Sequence, residues 1–189
     1  NELQSSLVRR LPEKFFVGTL HAATLDNVSP ELQMEEFLGG IEDFMKARPG
    51  YGAILSYPNN DTDPTPLIAM LRDFEARHPE SVIVVPSLGM RRYLSAVALS
   101  EGVIGNSSSG IVEVASLGVP TLDIGIRQNG RERAVSVIHC DATRGAVTMS
   151  LSLITSPMIK AIAAKRDNPY FHAATPTVMT EAIKAFCRR

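Results

Sequence analysis

Residues 105–110 read Gly-Asn-Ser-Ser-Ser-Gly, directly after the apolar pair Val103-Ile104. A strand that ends in small residues and then enters a helix is a layout for holding an anion. Small residues let the backbone close on a ligand. The free N–H groups of a first helical turn, aided by the helix dipole and the Ser107 and Ser108 hydroxyls, can bind phosphate. The same residue types also cap helices for purely structural reasons. Glu113 follows Ser109 by four positions, so on a helix ending at Gly118 the two share roughly one face, with the carboxylate leaning toward the N-terminus. A carboxylate there repels a bare phosphate but accepts hydrogen bonds from ribose hydroxyls. Phosphate plus sugar diol means a nucleotide.

Six short apolar runs must position these groups: Phe15 to Leu20, Ala53 to Ser56, Val82 to Val85, Val103 to Ile104, Thr121 to Ile124 and Val137 to His139. They alternate with helical patterns, which predicts βα units and an α/β fold with a doubly wound parallel sheet. Ser29-Pro30 reads as an N-cap and first-turn proline before Met34, Phe37, Leu38, Ile41, Phe44 and Met45 at helical spacing. Thr65-Pro66 repeats the device before Leu67, Met70, Leu71 and Phe74, and Thr175-Pro176 opens a last helix expected to bury Met179, Ile183 and Phe186. Helix is also predicted from about Arg144 to Lys165, broken near Ser156-Pro157 because proline cannot continue an interior turn. Ligands of open parallel sheets bind at the carboxyl ends of the strands. His21, Asn59, Ser87-Leu88, Asn106 to Ser109 and Arg127 all fall at such ends.

The chain of 189 residues, 44% hydrophobic and 21% charged, fits a single domain, residues 1–189. Its net charge of -1 argues against a nucleic-acid surface, which needs clustered positive charge. Cys140 and Cys187 form no metal spacing and no disulfide framework, which reads as reduced thiols. No apolar run approaches the roughly 20 residues of a membrane helix, and the first residues carry no signal-peptide pattern. The expectation is a soluble, cytoplasmic protein without a membrane partner, with no metal and no cofactor.

The serine loop, Glu113 three positions after its last glycine, the Gly118-Val-Pro turn and the run Ile-Gly-x-Arg-Gln-x-Gly-Arg at 124–131 resemble the C-terminal half of the hydrolysing UDP-N-acetylglucosamine 2-epimerases. Thr19-Leu20-His21, Tyr57-Pro58-Asn59 and Arg92-Tyr93-Leu94 fall in the order of that family. Non-hydrolysing relatives carry an Asp-Ser-Gly-Gly version of the loop, so Asn106-Ser107-Ser108-Ser109-Gly110 favours the hydrolysing branch. The resemblance implies a Rossmann-like domain, half of a two-domain glycosyltransferase-B fold. It also implies a UDP-sugar substrate and the products N-acetylmannosamine and UDP, on the route to sialic acid. The carboxylates that move protons lie mainly in the family's N-terminal domain. This chain begins at Asn1 where the second domain would start. The expectation is half of an enzyme, inactive alone, with residues 1–11 ending a linker helix, the missing domain as partner, and a homo-oligomer for the full-length enzyme.

The family's roles carry over position by position. His21 becomes the donor to leaving phosphate oxygens, although the family has His-Pro where this chain has His21-Ala22. Asn59 contacts the ligand, and Leu88 meets the base through its backbone. Asn106, Ser107, Ser108 and Gly110 form the anion loop, and Glu113 takes the ribose. Arg127 takes the diphosphate in preference to Arg131, which with Arg133 offsets Glu132. His78, His139 and His172 read as structural. Asn168-Pro169-Tyr170-Phe171-His172-Ala173 stands where the family has Asn-Pro-Tyr-Gly-Asp-Gly, which bears on loop shape and on sugar or nucleotide preference. The alternatives are the donor domain of a glycosyltransferase, against which the 127–131 run argues, and a nucleotide-binding module without catalysis. Uracil or guanine, and the identity of the hexose, stay open.

Overall fold

A computed structural model describes residues 12–23, 28–60, 63–172 and 175–187. The expected linker helix at 1–11 lies outside them. Six strands, β1 (Lys14–Thr19), β2 (Tyr51–Ser56), β3 (Val82–Val85), β4 (Gly102–Gly105), β5 (Thr121–Ile124) and β6 (Val137–Cys140), form one sheet in the order β3-β2-β1-β4-β5-β6. Every pairing is parallel. Strand order therefore reverses between β1 and β4, and the crevice beyond their carboxyl ends is where a doubly wound sheet takes its ligand.

The sheet is covered on both faces, and the strands alternate accordingly. On one face Phe16, Leu55, Val84, Ile104 and Leu122 pack against α1 (Pro30–Ala47), α2 (Thr65–Arg77) and α5 (Arg144–Ile154). On the other, Phe15, Val17, Ile54 and Val103 pack against Ala96 and Val97 of α3 (Gly89–Leu99) and against Val114. The six apolar residues predicted to face inward from α1 are all buried. Phe16 meets Phe44 edge-on at 5.4 Å and stacks on Tyr51 at 5.7 Å, which locks α1 to β1 and β2. Ser29 caps α1 as expected, its hydroxyl accepting the Leu32 N–H at 3.2 Å. The start of α2 departs from expectation: Thr65 lies inside the helix, and Asp63 accepts its N–H at 3.0 Å.

The predicted break at Ser156-Pro157 separates α5 from α6 (Pro157–Ala163). Among the described residues no single helix is long and apolar enough to cross a membrane, and α5 and α6, which pass that test only as a pair, are bent by 70°. The last helix, α7 (Thr175–Cys187), corrects the sequence reading. It forms, but Met179, Ile183 and Phe186 are exposed because none of the described residues covers that face.

At the β3 edge, α2 sends two side chains over the outermost strand. Glu75 accepts the Val84 N–H at 3.0 Å, and Arg72 donates to the Val84 carbonyl at 3.0 Å.

Candidate functional site

The serine loop follows β4 at the reversal of strand order. Gly105 lets it approach β1: its φ is +123°, and a Cβ there would stand 2.0 Å from the Thr19 carbonyl oxygen. The helix after the loop is shorter than the sequence implies. A single α-helical turn, α4 (Ser109–Val112), gives way at Glu113 to a 3-10 turn, Val114–Leu117, which stops at left-handed Gly118. With one turn the dipole contribution is small, so anion binding there rests on individual donors. The N–H groups of Gly110, Ile111, Val112 and Glu113 are used by the carbonyls of Ser107, Ser108 and Ser109. Those of Ser107, Ser108 and Ser109 have no backbone acceptor among the described residues. Ser108 occupies the cap position, yet its side chain makes no capping bond.

Asn106 is 1% exposed and fully engaged. Its side-chain oxygen accepts the His21 N–H at 2.7 Å and its amide donates to the His21 carbonyl at 2.9 Å. Its own carbonyl accepts from Arg127 at 3.2 Å and from Gln128 at 2.7 Å. Asn106 therefore clamps the segments after β1 and β5 onto the serine loop. His21 Nδ1 accepts the Asn59 N–H at 2.9 Å, which brings a third strand end into the cluster and assigns the ring proton to Nε2.

Glu113 is exposed, and Ser109 Oγ is bonded to its carboxylate at 2.5 Å and to the Tyr93 hydroxyl at 2.8 Å. Burial pushes the Tyr93 phenol above its ordinary pKa. Gly110 has a packing reason of its own, since a Cβ there would meet Thr121 Cγ2 at 2.8 Å and its carbonyl accepts the Thr121 hydroxyl. Leu88 is buried, its carbonyl taken by Arg92 at 2.8 Å. Asn168 donates to the Val112 carbonyl at 2.9 Å and to Ser116 at 2.7 Å, while the Tyr170 hydroxyl donates to the Glu132 carbonyl at 3.0 Å. Asn168 and Tyr170 thus join the two short turns after the serine loop to the segment at Glu132.

Asp123 was not singled out by sequence reasoning, Gln128 entered only as part of the 124–131 run, and Arg133 was read as offsetting Glu132. Arg133 pairs with the buried Asp123 at 2.8 Å, not with Glu132. A concavity of about 480 Å³ between α1, α2 and α5, lined by Glu35, Glu42, Asp73, Arg77 and Arg144 among others, touches none of these strand ends.

The family model described as UDP-N-acetylglucosamine 2-epimerase matches residues 1–184. The chain belongs to that family. It is 30% identical over 178 residues to polysialic acid biosynthesis protein P7 of Escherichia coli, covering 94% of this chain and 44% of that protein. It is 26% identical over 140 residues to the hydrolyzing GDP/UDP-N,N'-diacetylbacillosamine 2-epimerase of Campylobacter jejuni, covering 74% and 35%. In three dimensions it is similar to the S. aureus MnaA–UDP structure, with a TM-score of 0.73 at 14% identity over 100% of this chain and 49% of that one. The chain therefore spans less than half the length of these relatives. Its fold is the Rossmann-like α/β fold of the family's glycosyltransferase-B structures.

Proposed function

We propose that this chain is the C-terminal, UDP-binding half of a hydrolysing UDP-N-acetylglucosamine 2-epimerase. The observation that carries the proposal is the meeting of His21, Asn59, Asn106 and Arg127 with the serine loop where strand order reverses, all held by Asn106 and His21. Donors converge there and the family acts on a nucleotide sugar. The Ser107 and Ser108 hydroxyls, the loop N–H groups, His21 Nε2 and Arg127 are placed to take the diphosphate. Glu113 exchanges its bond to Ser109 for the ribose hydroxyls. Leu88 meets the base through its backbone.

In the reaction so proposed, a carboxylate of the other half takes the proton from C2 as the C1–O bond to UDP breaks. Water then adds across the resulting double bond to give N-acetylmannosamine. This half stabilises charge developing on the departing diphosphate, which is electrostatic assistance by fixed donors. The chain alone is expected to bind UDP and to release no N-acetylmannosamine.

Calorimetry with UDP and uridine tests the assignment. Ser107→Ala and Ser108→Ala should lower UDP affinity and leave uridine affinity in place, because uridine has no phosphate to lose. If the hydroxyls take no part in binding, the same variants keep the UDP-to-uridine ratio, which would overturn the reading.

A further inference from the structure

Asp123 is 2% exposed on β5, and a carboxylate so buried must be paired. Its Oδ2 receives Arg133 Nε at 3.1 Å and Nη2 at 2.8 Å, with His139 Nδ1 3.3 Å away. The same guanidinium reaches back into the loop that it ends, donating to the Gln128 carbonyl at 3.1 Å. Gln128, also 2% exposed, carries the link onward by donating from Nε2 to the Asn106 carbonyl at 2.7 Å. Asn106 brackets the main chain of His21, and the His21 ring holds Asn59. A continuous series of hydrogen bonds thus runs from the acid inside β5 to the ends of β4, β1 and β2. Arg127 precedes Gln128 in one 3-10 turn, Ile126–Gln128, and donates to the same Asn106 carbonyl, so two side chains of one turn are fixed to a single acceptor.

We propose that Asp123, Arg133 and Gln128 are positioning residues of the nucleotide site, which set the distance between the anion loop and Arg127 without touching the ligand. The proposal rests on the nucleotide-binding reading above. A buried ion pair is weak evidence for stability, because desolvation offsets most of its attraction. Its function here is to hold donors in place before a ligand arrives, which removes an ordering cost from binding.

The test uses the 189-residue chain, calorimetry with UDP and uridine, and 15N spectra of the His21 ring and the Asn106 side-chain amide. Gln128→Met keeps length and burial and removes the donor. It should weaken UDP about 2- to 30-fold, the range for changes acting through a contact network, leave uridine unchanged, and shift both sets of resonances. Arg133→Met should do the same, and the double variant should lose no more than the worse single one, because both break one series. If Arg133→Met does not fold, Arg133→Lys, which keeps the charge but not the fork, is read in the same way. Unmoved His21 and Asn106 resonances with wild-type UDP affinity would overturn the proposal. So would equal losses for UDP and uridine alongside a lower Tm, or fully additive losses in the double variant. Failure of the unaltered chain to bind UDP would instead overturn the nucleotide reading, and the resonance shifts would still report whether the series is coupled.

Discussion

The His21 ring accepts a hydrogen bond at Nδ1 from the main chain of Asn59, 2.9 Å away across the ends of β1 and β2. The tautomer of the imidazole is therefore set by backbone, and its remaining proton sits on Nε2. In 15N spectra at neutral pH, His21 should appear as the Nε2–H tautomer, with Nδ1 in the acceptor range. An Nδ1–H signal would remove the donor role proposed for this ring.

Gly105 and Thr19 are in closer contact than any side chain allows. Gly105→Ala would place its methyl 2.0 Å from the Thr19 carbonyl oxygen in a left-handed conformation, so β4 must move away from β1. Strain of this kind costs on the order of 1–3 kcal/mol for the conformation alone. Chemical denaturation should show a loss of at least that size, and a stability equal to the parent would contradict the β1–β4 register.

Glu113→Gln addresses the sugar. If the carboxylate takes both ribose hydroxyls, the variant loses hydrogen bonds to a charged group worth about 1.5–3 kcal/mol. It should then weaken UDP more than 2'-deoxy-UDP, which already lacks one hydroxyl. Equal losses by calorimetry would remove Glu113 from the ribose.

The two cysteines should behave oppositely. Cys187 is exposed, whereas Cys140 is buried and its burial pushes the thiol up to about 11. At pH 8 a thiol reagent should modify Cys187 quickly and Cys140 only on unfolding, because the thiolate is the nucleophile. The unfolded chain ionises Cys140 first as pH rises, so the folded state loses stability between the ordinary thiol value of 9.0 and about 11. Cys140→Ala should remove that alkaline slope.

On the acid side the Arg144 guanidinium bonds Asp43 at 2.5 and 2.6 Å and holds its carboxyl below the usual carboxylate range. A depressed carboxylate stabilises the fold above its unfolded pKa and loses that contribution as pH falls through the folded one. Asp43→Asn should therefore flatten the acid limb of the stability curve, read by Tm from pH 7 down to 3. An unchanged limb would mean the α1–α5 pair is fully screened.

The strands and most helices were legible because β-branched runs, proline caps and 3.6-residue spacing are local signals. The candidate site could be placed in the sequence as far as strand ends go, since His21, Asn59, Asn106 and Arg127 each fall within three residues of the end of an apolar run. Asp123–Arg133 and Gln128–Asn106 were not, because the first depends on how the segment after β5 folds back on that strand and the second on the β4–β5 register. The break at Glu113 also escaped, since two short turns carry the same apolar periodicity as one helix. The exposed face of α7 marks the opposite limit: its pattern says amphipathic and is silent on what it meets.

An outermost strand is ordinarily a template on which a foreign chain can add itself. Val84 offers no such rung, because Glu75 and Arg72 already occupy its N–H and carbonyl. Both come from α2, so one helix insulates that margin of the sheet against self-association. Releasing them together, in Arg72→Ala/Glu75→Ala, should convert a quiet margin into an adhesive one, visible as concentration-dependent thioflavin-positive aggregates before any loss of the fold.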